Sequence, residues 1–308
     1  MQLRLSHFLK HPQDLGVLLF MGIAWSIAKL PLNAQLKLAR ALGKVIFKLA
    51  KHRTLVADTN LQLCFPEKTK EEREAIVKET IYQTALATIE LAACWFSDLK
   101  SRKAYSTIIG KEHIKSAQAK GNGVILLIFH FTSMELGGCL MGEQVKFNAM
   151  YKPTKNKLVE HVMCAGRLRH IHALIKQDDI KGTVRALKNN QVVWYSTDQN
   201  AGTIGGVFVP FFGIPACTIT ALSRMAKMTG AAVVPFTHRR THDGKGLELE
   251  LHPALENFPG ECPKQDAVRV NEFLEDFLRQ EPANYMWIHQ RFRTRPPGEP
   301  RLYPKRKG

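Results

Sequence analysis

The sequence predicts an α/β protein, with a mixed, largely parallel central sheet flanked by helices. Short apolar runs rich in Val and Ile recur between turn residues, as buried strands require. Stretches of helical period fall between them, the alternation expected of βαβ units. An apolar stretch near the N-terminus, followed by a basic amphipathic one, adds an N-terminal membrane-anchoring helix to that expectation.

Taken in order, residues 15–28 (LGVLLFMGIAWSIA) run for 14 positions without a charge, short of the about 20 that a membrane span needs. Lys29 and Pro31 stand where a signal-peptide cleavage site would have small residues. Over 32–53, Leu36, Ala39, Leu42, Val45, Ile46 and Leu49 can share one helical face, with Lys37, Lys44, Lys48 and Lys51 on the other. A membrane interface suits that pairing, and so does a core helical hairpin with a solvated face. Residues 1–53 are thus set apart from an α/β domain at 54–290. Within that domain, 123–129, 192–195, 231–236 and 247–251 read as strands. Helices are expected over 71–96, 155–169, 180–188, 218–228 and 267–279. The segment 291–308, with Pro296-Pro297-Gly298 and few apolar residues, reads as a basic tail, extended or laid along a surface.

The 308 residues carry a net charge of +17, and its placement says more than its size. Residues 1–53 hold nine basic residues and one acidic, 111–200 hold thirteen and seven, and 291–308 hold seven and one, whereas 54–110 and 201–290 are close to neutral. Localised basic charge favours a polyanion or an anionic surface. No zinc-finger spacing, basic zipper or aromatic RNP-type strand is present, so no nucleic-acid partner is expected. Six Cys without a close pair fit a reducing compartment, and the set His161, Cys164, His170 and His172 matches no standard zinc spacing, so no metal is expected.

The motif that carries chemistry is H-F-T-S-M-E, from His130 to Glu135, directly after the first buried strand. Open α/β sheets bind ligands at the carboxyl ends of their strands. Thr132 and Ser133 can cap the next helix, which puts Glu135 in its first turn. Across that turn a carboxylate can reach an imidazole, fix its tautomer and make it a base for a hydroxyl. On spacing alone, a structural His beside an unrelated Glu remains open. No G-x-S-x-G motif is present, so a covalent acyl-enzyme is not suggested.

H-x4-E after an apolar strand resembles the signature of the bacterial late acyltransferases of lipid A biosynthesis, the lauroyl/myristoyl transferase family, relatives of the glycerolipid acyltransferases. The resemblance spans nearly the whole chain. It includes N-L-Q-L-C-F-P at 60–66, Y-K-P-T-K-N-K-L at 151–158 running to G-R-L-R at 166–169, V-W-Y at 193–195 with Asp198-Gln199, F-V-P-F-F-G at 208–213, Y-M-W-I-H at 285–289 and R-F-R-T-R-P at 291–296. The run W-I-H-Q-R-F-R-T-R-P at 287–296 and the spelling of the second block lean toward the lauroyltransferase branch.

The resemblance implies a glycerolipid-acyltransferase-like fold and an enzyme at the cytoplasmic face of the bacterial inner membrane. It would move an acyl chain of C12–C14 from acyl carrier protein to the hydroxyl of a 3-hydroxyacyl chain on a lipid A precursor. His130 would be the base and Glu135 its partner, and no metal or redox cofactor would be needed. Arg167 and Asp198 match positions tied to activity, with Asp198 able to pair with Arg167 or to serve a turn. Lys152 and Arg169 would join Arg167 in meeting the phosphates of the acceptor. The tail cations Arg291, Arg293 and Arg295 could meet lipid phosphate or the acidic carrier protein. Two other readings stay open: an acyltransferase for glycerol phosphate or another glycolipid, and a non-catalytic basic membrane-binding protein.

Overall fold

A computed structural model describes residues 12–202 and 205–304. Among the described residues four helices come first: α1 (Pro12–Ala28), α2 (Leu32–Leu49), α3 (Lys51–Cys64) and α4 (Lys70–Phe96). After a helical turn at Lys100–Lys103 the chain alternates: β1 (Thr107–Ile109), α5 (Lys111–Gln118), β2 (Val124–Ile128), α6 (Met134–Gly142), β3 (Phe147–Tyr151), α7 (Lys157–Arg167), β4 (Ala173–Lys176), α8 (Ile180–Lys188) and β5 (Val192–Ser196). A hairpin of β6 (Gly206–Phe211) and β7 (Ile214–Ile219) follows, then α9 (Ala221–Thr229), β8 (Ala232–Arg240), β9 (Leu247–Leu251) and α10 (Pro263–Gln280).

Seven strands form one sheet in the order β1-β9-β8-β2-β5-β3-β4. Every pairing is parallel except β8 with β9, so the expected mixed, largely parallel sheet is present. β2, at its centre, is buried at all five positions. Its side chains alternate between faces: Ile125 and Leu127 pack with Phe211 and Trp287, while Val124, Leu126 and Ile128 pack with Trp194 and Phe236. β9 lies beyond β8 and alternates buried Leu with exposed Glu, as its sequence predicts.

The helices start where their sequences allow. The Thr69 hydroxyl accepts from the Glu72 N–H while Glu72 accepts from the Thr69 N–H, a capping box that begins α4 one residue before the expected start. Asn156 caps α7 and Asp179 caps α8 through their side-chain oxygens. Two expected boundaries are corrected. Thr218 and Ile219 belong to β7, because pairing with Val207 and Gly206 claims them before the helix can begin. The last helix starts at Pro263 rather than 267, since Pro suits the first helical turn.

The N-terminal helices pack on α4. α1 buries Met21, Ala24 and Ala28 and leaves Leu15, Leu19, Phe20, Ile23 and Trp25 more than half exposed. At 17 residues it is about 25 Å long, less than a bilayer core. No described helix is long and apolar enough to cross a membrane. The expected common face of α2 is corrected as well: Leu36 and Ala39 are buried, but Val45 and Leu49 are exposed. The segment from Arg291 does not begin as a surface tail. Arg291 and Phe292 are fully buried, and the Arg291 guanidinium donates to the Cys217 carbonyl at 2.9 Å and the Thr218 hydroxyl at 2.6 Å. Arg293 is exposed, while Arg295 donates to the Pro215 carbonyl and pairs with Glu299.

Candidate active site

β2 and β5 run in parallel with Ile128 level with Ser196. Two residues beyond each stand His130 and Asp198, brought side by side at the carboxyl edge of the sheet. Asp198 is fully buried. One carboxylate oxygen accepts the His130 backbone N–H at 2.9 Å, and the other meets the ring Nδ1 at 2.8 Å. A carboxylate only accepts, so Nδ1 carries a proton, and in the neutral ring Nε2 keeps its lone pair. Burial pushes the His130 pKa down, but the charge and hydrogen bond of Asp198 outweigh it, and the imidazole sits above its ordinary value. Burial likewise pushes Asp198 up, while His130 and the backbone N–H hold it below the usual carboxylate range.

The expected pairing of His130 with Glu135 is therefore corrected. Glu135 does lie in the first turn of α6, but its partner is Arg167. The Arg167 Nε donates to one oxygen at 2.8 Å and Nη2 to the other at 2.6 Å, leaving Nη1 outside the fork. The Trp95 indole N–H adds a third donor at 3.2 Å. Burial opposes the Arg167 charge, and Glu135 more than restores it, so its pKa is raised. Asp198 likewise does not pair with Arg167. Arg167 ends α7, which comes close to α4 because Gly166 has no side chain: a Cβ there would stand 2.8 Å from the Trp95 Cα.

The loop after β2 is tied on all sides. The Met286 N–H donates to the His130 carbonyl at 3.1 Å, and the Thr132 N–H to the Asn284 carbonyl at 2.8 Å. The Tyr285 hydroxyl donates to the Asp198 carbonyl at 3.0 Å. Asn60 holds the far side of this strap by donating to the carbonyls of Trp287 and His289. Thr132 and Ser133 do not cap α6 with their side chains. Thr132 donates to Gln83, and the Ser133 hydroxyl meets Nδ1 of the buried His238 at 2.9 Å. Burial, with a smaller push from Arg240, lowers His238 to about 3. His289, lowered to about 4 chiefly by burial and then by the charge of His130, accepts the Asn200 N–H on Nε2.

His130, Glu135 and Arg167 open onto a cavity of about 990 Å³ at the carboxyl edge of the sheet. Its apolar wall includes Gly138, Cys139, Phe147, Met163 and Trp194, with Phe147 and Trp194 stacked at 5.0 Å. Lys152 lines the cavity, and so does Arg224, which sequence reasoning missed. Arg169 does not. Its guanidinium donates to the carbonyl oxygens of Trp95 and Ser97 at the end of α4, where unpaired carbonyls attract a cation. Trp95 and the 284–286 strap were also missed as site elements. Trp95 had one signal, its place at the apolar end of the longest expected helix.

A buried imidazole with a free Nε2, a charge-stabilising carboxylate and an adjoining apolar cavity can deprotonate a hydroxyl beside a hydrocarbon chain. The family model for bacterial lipid A biosynthesis acyltransferases matches residues 4–294. The chain is 35% identical to a lipid A biosynthesis lauroyltransferase of Escherichia coli (strain K12) over 97% of its length and 98% of that protein's. It is 34% identical to a palmitoleoyltransferase of the same organism, covering 98% and 99%, and 31% identical to a myristoyltransferase, covering 97% and 93%. The solved 1-acyl-sn-glycerophosphate acyltransferase of Thermotoga maritima shares 15% identity over 80% of this chain and 98% of that one, at a TM-score of 0.33, too slight a likeness to bear on the site. This chain belongs to the bacterial lipid A biosynthesis acyltransferase family and is an acyltransferase acting in lipid A biosynthesis.

Proposed function

We propose that the enzyme transfers a C12–C14 acyl chain from acyl carrier protein to the hydroxyl of a 3-hydroxyacyl chain on a lipid A precursor, with His130 as general base and Asp198 as its orienting carboxylate. The observation that carries this reading is the Asp198–His130 pair beside an apolar cavity, in a chain of this family. His130 Nε2 takes the hydroxyl proton as the oxygen attacks the thioester carbonyl. The imidazolium so formed faces Asp198. When the tetrahedral intermediate collapses, the carbon–sulfur bond breaks and the imidazolium returns its proton to the departing thiolate. The thioester is already activated, so the remaining work is to align two chains and to stabilise an oxyanion.

In this reading Glu135 acts on Arg167 instead of His130. The fork fixes the guanidinium at the cavity, where its charge can meet the oxyanion or a phosphate of the acceptor. Lys152 and Arg224 are the other cations of the cavity lining and serve the acceptor's phosphates. The exposed face of α1, with Leu19, Phe20, Ile23 and Trp25, lies in the cytoplasmic leaflet of the inner membrane, held there by the cations of residues 29–53.

The test supplies purified enzyme with acyl carrier protein thioesters of C10 to C16 and with lipid A precursor or glycerol phosphate as acceptor. Ester formation on the lipid A precursor with C12 or C14 supports the reading. Transfer to glycerol phosphate alone contradicts it.

A further inference from the structure

A second cavity, of about 460 Å³, lies where the N-terminal hairpin meets the core. It is lined by the end of α1, the start of α2, the end of α4 and the turn after it. Lys29, Arg102 and Arg169 contribute cations, and Gln35, Ser97 and Ser101 contribute polar groups. The positive charge is not cancelled locally. Arg102 is buried and shares one carboxylate, Glu90, with Arg240: the Arg240 fork takes both Glu90 oxygens at 2.5 and 2.8 Å, leaving Arg102 at 3.5 Å. Burial weakens the hold of Arg102 on its proton; the charge of Glu90 opposes this, and the charge of Arg240 adds to it. Lys29 and Arg169 form no ion pair among the described residues. Asp98, the one carboxylate in the lining, is paired with Lys100 at 3.3 Å.

The surface beside this cavity is apolar. Leu30, in its lining, is 40% exposed, and Trp25, one turn before Lys29 on α1, is 53% exposed. A ligand that satisfies both features carries an anion and a hydrocarbon tail in one molecule. Arg102 and Arg169 are already anchored to protein oxygens, Arg102 on the carbonyls of Gly244 and Lys245. They are thus held in place before any ligand arrives, which lowers the ordering cost of binding.

We propose that this cavity binds the phosphate of an anionic phospholipid headgroup, separately from the acyl-transfer cavity. The inference extends the membrane placement of α1 given above. An occupied site pins the α1–α2 hairpin to the bilayer at a fixed depth, through a headgroup as well as through α1's apolar face.

The test uses the full chain and monomeric dihexanoyl phosphatidylglycerol, with dihexanoyl phosphatidylcholine and inorganic phosphate as comparison ligands. Phosphatidylglycerol is expected to bind more tightly than either. Ser101→Glu, an exposed lining position, should weaken it about fivefold, and Lys29→Glu, a change of two charges, about twenty-five-fold. Lys44→Glu, on the exposed face of α2 outside the cavity, should leave it unchanged. The proposal is overturned if phosphatidylglycerol does not bind, if inorganic phosphate binds as tightly, if Ser101→Glu has no effect, or if Lys44→Glu weakens binding as much. Acyl transfer to detergent-dispersed acceptor should persist in Ser101→Glu. Its absence in the unaltered enzyme would count against the proposed reaction and leave this site to be judged by the lipid titration alone.

Discussion

Asp198 holds His130 twice, through the backbone N–H at 2.9 Å and the ring Nδ1 at 2.8 Å. The first contact fixes where the residue stands and the second fixes its tautomer. Asp198→Asn can keep the size of the group but removes its charge, and an amide can present either N–H or oxygen to Nδ1. Acyl transfer should fall by about 10²- to 10⁴-fold with the fold retained, measured as kcat on purified variant alongside its circular dichroism.

The pH dependence follows from the same pair. A base must be neutral to act, and His130 is held above its ordinary 6.5, so kcat should rise with pH through that raised value. His289 and His238, at about 4 and about 3, are neutral across this window and leave the rise to His130. In Asp198→Asn the opposing effect of burial remains while the raising charge is gone, so the limb should move to lower pH as its plateau drops. A limb that stays in place would place the titration elsewhere.

Stability should respond with a worked-out sign. His130 binds its proton more tightly folded than unfolded, so its contribution is full below about 6.5 and is lost as pH rises through the folded value. Asp198 is lowered, so its contribution is present above its unfolded value and is lost as pH falls through the folded one. Urea titrations of wild type and Asp198→Asn should therefore differ most between those limits and converge toward both ends.

The strands and helices around the sheet were legible because their patterns are local. β2 reads as buried from V-I-L-L-I alone, and β9 as half-exposed from L-E-L-E-L. The partner of His130 was not legible, because it depends on strand order. β2 lies next to β5 and not β3, and only that crossover brings residue 198 level with residue 130. Glu135, five residues away, looked nearer in sequence than in space. Arg169 and Arg291 escape a sequence reading for a related reason: a charge suggests exposure, yet one guanidinium sits on carbonyls at a helix end and the other is fully buried. β3, β4 and the β6–β7 hairpin escaped because their short, mixed sequences borrow stability from neighbours.

Glu135 and Arg167 should behave as a unit. Arg167→Lys keeps the charge but cannot make the two-nitrogen fork, and Glu135→Gln removes the anion that holds it. Each should lower kcat by about tenfold to a hundredfold, and the double variant by little more than the worse single one. In both, the His130 limb of the pH profile should stay where it is, since neither residue touches the imidazole.

Gly138 opens the apolar part of the cavity. A Cβ there would lie 3.2 Å from the Trp194 ring, so Gly138→Leu should fill part of the space proposed to take the acyl chain. Each methylene denied burial loses about 0.8 kcal/mol, about fourfold in rate. Competition between C10, C12 and C14 donors should shift toward the shorter chain, read by mass spectrometry of the product.

If His130 takes the hydroxyl proton, its loss removes the base of the reaction. The most direct measurement is single-turnover acyl transfer from acyl carrier protein to lipid A precursor by His130→Ala. The expected rate is lower by at least about a hundredfold, with the protein folded and acceptor binding preserved. A rate within a few-fold of wild type would contradict the account, because no base would then be missing.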